Sequence, residues 1–198
     1  IILEISNHQP TDFHTSQVFS DKPSRTTVRG YAAPTAYTPI LDPGYIFHES
    51  SRDMVVWFVN LQGPQGTHEP LYVFGPTGCG KTSCIKQLAA RLNYPVFEVT
   101  GHGRLEFADL VGHLTVKDGN MAFEYGPLAL AMRYGALLLL NEIDLTSPEI
   151  AAGLNSVLDG STLCVAENGG EIIQPHPMFR FVATANTNGA GDDTGLYQ

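Results

Sequence analysis

An α/β fold, with a parallel sheet flanked by helices on both faces and carrying two β-hairpin inserts, is predicted by three features of this sequence. A glycine-rich turn, GPTGCGKT at 75–82, stands between a short apolar run and an amphipathic segment. Four leucines at 137–140 form a central apolar run, and from Tyr45 onward such runs alternate with segments of helical period.

Residues 1–44 scatter Pro10, Pro23, Pro34, Pro39 and Pro43 among Ser and Thr without a sustained period, which predicts an irregular N-terminal arm or linker. The second region, 45–198, begins with a helix over about 51–61, where Ser50 or Ser51 is a candidate cap and Met54, Val55, Phe58 and Val59 fall on one side. GPQGTHEP is a loop, LYVF at 71–74 a short buried strand, 81–93 a helix, VFEVT at 96–100 a strand and 105–112 a helical stretch. Two alternating runs meet at Asp118-Gly119, the signature of a hairpin over 113–126. PLALAMRYG is helical and ALLLL a strand. SPEIAAGLNSVLDG is a helix with Ser147 as cap and Pro148 at its first position. A second hairpin turns at Asn168-Gly169, and RFVATAN at 180–186 is a further core strand.

The 198 residues are 43 % hydrophobic and 16 % charged, the profile of a globular domain with one sizeable core. A net charge of -9 argues against nucleic acid or an anionic membrane surface as partner. The longest apolar run is far short of the roughly 20 residues of a membrane helix. Cys79, Cys84 and Cys164 form neither a disulfide framework nor a zinc ribbon, and a cytoplasmic location is expected. His102, His113 and His176 have no metal-ligand spacing. The chain opens on Ile1 and stops after a loop-like GAGDDTG, so it is expected to be a piece of a longer polypeptide.

GPTGCGKT satisfies G-x-x-x-x-G-K-[ST] in the strand-to-helix setting that this pattern needs, the P-loop NTPase arrangement. Gly75, Gly78 and Gly80 let the backbone N–H groups of Pro76–Ser83, Pro76 itself having none, turn inward around phosphates. Thr77 and Cys79 fill variable positions, Lys81 neutralises the outer phosphates, and the Thr82 hydroxyl is a Mg²⁺ ligand. A nucleotide with Mg²⁺ is therefore the expected ligand. LLLLNEID places Glu142 at the carboxyl end of a strand expected beside the phosphate-loop strand, as the base that polarises water. Its competing role is to cap the helix near Ser147. Asn186, ending FVATAN, is placed to orient that water or to report the bound nucleotide, the competing role being an ordinary turn residue.

These three motifs in this order resemble the AAA+ ATPases, and the two hairpins resemble the inserts of the MoxR and chelatase branch. ARLNYPVFEVTGH, ADLVG, PHPMFRFVATANT and GDDTGLY are similar to the CobS-type ATPase subunit of aerobic cobaltochelatase. The resemblance implies that 45–198 is the large ATPase subdomain, with lid, sensor 2 and arginine finger in segments past Gln198; Arg180 is not promoted to a finger. It implies ATP as the nucleotide, a homo-oligomeric, hexameric ring and a partner with a von Willebrand type A domain. It puts Tyr45, Ile46 and Phe47 near the adenine, against a competing role as anchors of the arm. Arg104, Leu105 and Phe107 become candidate client contacts, against ordinary loop and core positions. In the family the residue at Asn141 is acidic and holds Mg²⁺ through water; Asn141 keeps an acceptor oxygen and loses the charge. Three readings stay open: a tolerated variant with Glu142 still catalytic, a slow or inactive ring that binds nucleotide structurally, and an engineered change. The functional expectation is an ATP-driven motor that remodels or activates a partner, the alternatives being a nucleotide-gated ring scaffold and a restriction-type NTPase subunit.

Overall fold

The computed structural model describes residues 8–19, 26–59 and 69–187. The GDDTGLY segment, most of GPQGTHEP and the last two residues of the expected 51–61 helix lie outside them.

Strands β1 (Pro10–His14) and β2 (Thr27–Tyr31) form an antiparallel pair. Helices α1 (Thr15–Val18) and α2 (Arg52–Val59) precede β3 (Leu71–Phe74), α3 (Lys81–Arg91) and β4 (Val96–Thr100). Helix α4 (Phe107–Val111) leads into the hairpin β5 (Gly112–Lys117) and β6 (Asn120–Tyr125). After α5 (Pro127–Tyr134) come β7 (Leu137–Asn141), α6 (Pro148–Leu158), the hairpin β8 (Leu163–Val165) and β9 (Glu171–Ile173), and β10 (Arg180–Ala185). The central sheet is parallel in the order β3-β10-β7-β4.

The period of two explains the run of leucines. Leu138 and Leu140 enter a core with α5, α6 and the β8–β9 hairpin, while Leu137 and Leu139 enter a second core with α2 and α3. All four are fully buried, since a parallel strand covered on both faces has no solvent side. Phe181 and Ala183 on β10 join the first core and Val182 the second.

Four expectations need correction. The arm before residue 45 is not irregular where it is described. β1 and β2 pair, and Val28 and Tyr31 are buried in the second core; Tyr31 N–H donates to Leu92 O at 2.8 Å and its hydroxyl to Gly135 O at 2.7 Å. LYVF is not a buried strand but an edge strand of alternating burial, with Tyr72 and Phe74 exposed. The leucine strand does not lie beside it, because β10 intervenes. The 105–112 helix is shorter than expected, and Leu105 precedes it as a buried residue.

Arg180 is buried at the start of β10. Its guanidinium donates to the carbonyls of Trp57 (3.3 Å) and Phe58 (2.8 Å) in the last turn of α2, and to the Tyr94 hydroxyl at 3.3 Å. It is an internal cap, buried in the second core's wall.

Candidate functional site

The turn between β3 and α3 wraps a cleft of about 390 Å³ at the carboxyl ends of the strands, where open α/β sheets hold ligands. Gly78 (φ 80°) and Gly80 (φ 87°) take left-handed conformations that side chains disfavour, which turns the loop's N–H groups toward one side. Thr77 through Ser83 line the cleft, with Gly75 and Pro76 at the loop's root. Helix α3 begins at Lys81, so its N-terminal dipole faces the same space.

Lys81 Nζ donates to the carbonyls of Gly75 and Pro76 and to Asn186 Oδ1 at 3.2 Å. Two expected site residues 105 positions apart in the sequence are thereby in contact. The Thr82 hydroxyl donates to Asn141 Oδ1 at 2.8 Å, and Thr184 on β10 donates to the same oxygen at 3.0 Å. Asn141 Nδ2 in turn donates to Glu98 Oε1 at 2.8 Å. Glu142 lines the cleft with left-handed backbone (φ 55°, ψ 46°), and its N–H donates to Thr184 Oγ1 at 3.3 Å. The helix near Ser147 has Ser147 itself at its cap position and no side-chain capping bond, which counts against Glu142 as its cap.

Asp144 ties the acidic strand's end to the sensor strand. Its Oδ2 accepts from the N–H groups of Asn186 (2.9 Å) and Thr187 (3.1 Å) and from the Thr187 hydroxyl. Gly101 fits because its N–H donates to Asn141 O at 2.7 Å, and a Cβ there would lie 2.4 Å from Glu142 O.

Ile46 and Phe47 are not brought to this cleft. Ile46 is exposed, while Phe47 packs on Arg91, Tyr45 and Phe19 in the second core, so anchoring wins over adenine contact for Phe47. Leu105 is buried, Phe107 is half-buried against Gly153, and Arg104 is exposed.

Sequence reasoning missed Glu98, Thr100, Thr184 and Asp144. The first two alternate along β4 and so share a face ending at the cleft, a signal that strand period alone offers. The oxygen-only set of Thr82, Asn141, Glu98 and Glu142 suits a hard cation such as Mg²⁺. Among the described residues no group of three His, Cys, Asp or Glu is disposed as a metal cage.

Residues 70–196 match the AAA domain (dynein-related subfamily). The chain belongs to this AAA family. It is 36 % identical over 203 residues to the aerobic cobaltochelatase subunit CobS of Sinorhizobium sp, covering 100 % of this chain and 58 % of that protein. It is 36 % identical over 117 residues to protein NorQ of Paracoccus denitrificans, covering 59 % of this chain and 43 % of that one. The chain thus spans less than two thirds of the length of these curated relatives, which set it in the MoxR and chelatase branch. A solved structure of a conjectural ATPase from Cytophaga hutchinsonii ATCC 33406 shares the fold, at TM-score 0.52 and 18 % identity over 67 % of this chain and 38 % of that one. No helix among the described residues is long and apolar enough to cross a membrane.

Proposed function

We propose that this AAA+ chain binds and hydrolyses ATP with Mg²⁺ and uses the cycle to remodel or activate a partner protein, as one subunit of a hexameric ring in the cytoplasm. The observation that carries this reading is the convergence of Lys81, Thr82, Asn141, Glu142 and Asn186 on one cleft. In the cycle, the loop N–H groups and Lys81 hold the outer phosphates. Asn186, fixed through Asp144 and bonded to Lys81, orients water against the terminal phosphate. Glu142 accepts the proton as that water attacks. Thr82, with Asn141 behind it, would hold Mg²⁺, which supplies charge neutralisation of the phosphates. The relatives' family, with its ring and trans arginine, supports the hexamer. A von Willebrand type A domain protein is the proposed partner, on the CobS-like resemblance.

The test is Mg²⁺-dependent phosphate release in the full-length protein. Glu142→Gln should abolish it while ATP still binds; unchanged turnover would remove Glu142 from its role. Asn141 favours a second reading, a ring scaffold gated by nucleotide binding with little turnover. ATP-dependent oligomerisation without measurable phosphate release would select that one.

A further inference from the structure

The orientation of the Asn141 amide is set by its neighbours. Glu98 can only accept, so the end facing it is Nδ2; Thr184 Oγ1 accepts from Glu142 N–H and is left to donate to Asn141 Oδ1. An aspartate at 141 could not make the bond to Glu98, because two carboxylates would stand in contact. Asn141 and Glu98 therefore form a complementary pair carrying one negative charge, located on β4 one strand away from 141. Glu98 lines the cleft together with Thr82, and Lys86, one turn beyond Thr82 on α3, pairs with its other oxygen at 2.5 Å.

We propose that Glu98 is a positioning residue that supplies the negative charge missing at Asn141 to the cation-bearing side of the cleft, and that Lys86 opposes it. The inference rests on reading the cleft as an ATP–Mg²⁺ site. The electrostatics carry it: the Asn141 amide is polarised by the Glu98 carboxylate through a charge-assisted bond, which makes Oδ1 a better acceptor for the Thr82 hydroxyl and for cation-bound water. Glu98 also acts directly across the cleft it lines. Lys86 cancels part of this field. Its side chain and that of Glu98 are both about a third exposed, so salt screens the pair.

The test is a Mg²⁺ titration of the full-length protein followed by binding of a fluorescent ATP analogue, a readout that needs no turnover. Glu98→Gln keeps an acceptor for Asn141 Nδ2 and removes only the charge, and should raise the Mg²⁺ half-saturation concentration about tenfold. Lys86→Met should lower it about threefold. The double variant N141D/E98Q, which moves the charge from 98 to 141, should return it to within about threefold of the parent. A role confined to folding would move none of these in opposite directions. Unchanged half-saturation in both single variants, or shifts of the same sign, would overturn the proposal. Lys86→Met, at a partly exposed position, decides the matter even if Glu98→Gln fails to fold. Failure of the parent to bind the analogue at any Mg²⁺ concentration would overturn the ATP reading instead, so the two failures are distinct.

Discussion

Arg180 carries a prediction whose size can be worked out. Its guanidinium sits among the rings of Trp57, Phe58 and Tyr94, 4.8 to 5.7 Å from their centroids, and among the described residues no carboxylate pairs with it. The compensating negative pole is the end of α2, whose Trp57 and Phe58 carbonyls it caps. Arg180→Met matches the volume and abandons both carbonyls, while Tyr94 keeps its own donation to Met178 O at 2.6 Å. Each lost bond from a charged donor costs about 1.5–3 kcal/mol, and the relief of a buried charge returns part of it, leaving a net loss of about 2–4 kcal/mol. For a chain of this size that corresponds to a fall in melting temperature of about 5–15 °C. Arg180→Lys keeps the charge and forms one of the two bonds, so about half the loss is expected. Thermal and urea unfolding measure both variants. A loss below about 1 kcal/mol in Arg180→Met, or a Lys variant no better than the Met one, would refute the capping argument.

Three more perturbations follow from the geometry. Gly101→Ala drives a Cβ into Glu142 O and should abolish phosphate release by displacing Glu142, at a stability cost of about 1–3 kcal/mol; a variant with parental turnover would contradict the contact. Burial holds the His176 imidazole below its ordinary value of 6.5, so the folded chain refuses a proton that the unfolded chain takes. Stability should be complete above pH 6.5 and fall as pH drops below it, and urea unfolding of His176→Gln should show that limb flattened. Tyr125 donates to Glu171 at 2.6 Å, the leading cause of that carboxyl's lowered pKa, with Asn168 and Arg133 adding to it. Tyr125→Phe should cost under about 1 kcal/mol and speed amide hydrogen exchange in the β8–β9 hairpin, while leaving β7 protected.

The parts of the fold that were legible are those whose cause is local. Gly80 and Lys81 announce the strand-to-helix turn, Asp118-Gly119 the first hairpin, and the leucines of β7 a strand covered on both faces. The strand pair β1–β2 was not legible. PTDFH contains a proline and TVRGY a glycine, and Gly30 is there because a Cβ would meet Leu92 O at 2.4 Å, a contact 62 positions away in sequence. The strand order escaped for a similar reason, since Thr184 bridges to Asn141 only once β10 has inserted between β3 and β7. Glu98 reads as a solvent-facing strand residue until Asn141 is placed beside it. Phe47 looked like an adenine neighbour because an aromatic ahead of the first helix suits either a base or a core, and the cation over its ring, Arg91, decides for the core.

The left-handed backbone at Glu142 has a further consequence. A residue with a Cβ held there costs about 1 kcal/mol relative to glycine, offset locally by the hydrogen bond from its N–H to Thr184. Glu142→Gly would therefore fold at least as well while lacking the base. On the proposed role of Glu142 as the base, a selection for thermal resistance and a selection for turnover would pull position 142 toward different residues, so durability and catalysis would compete there.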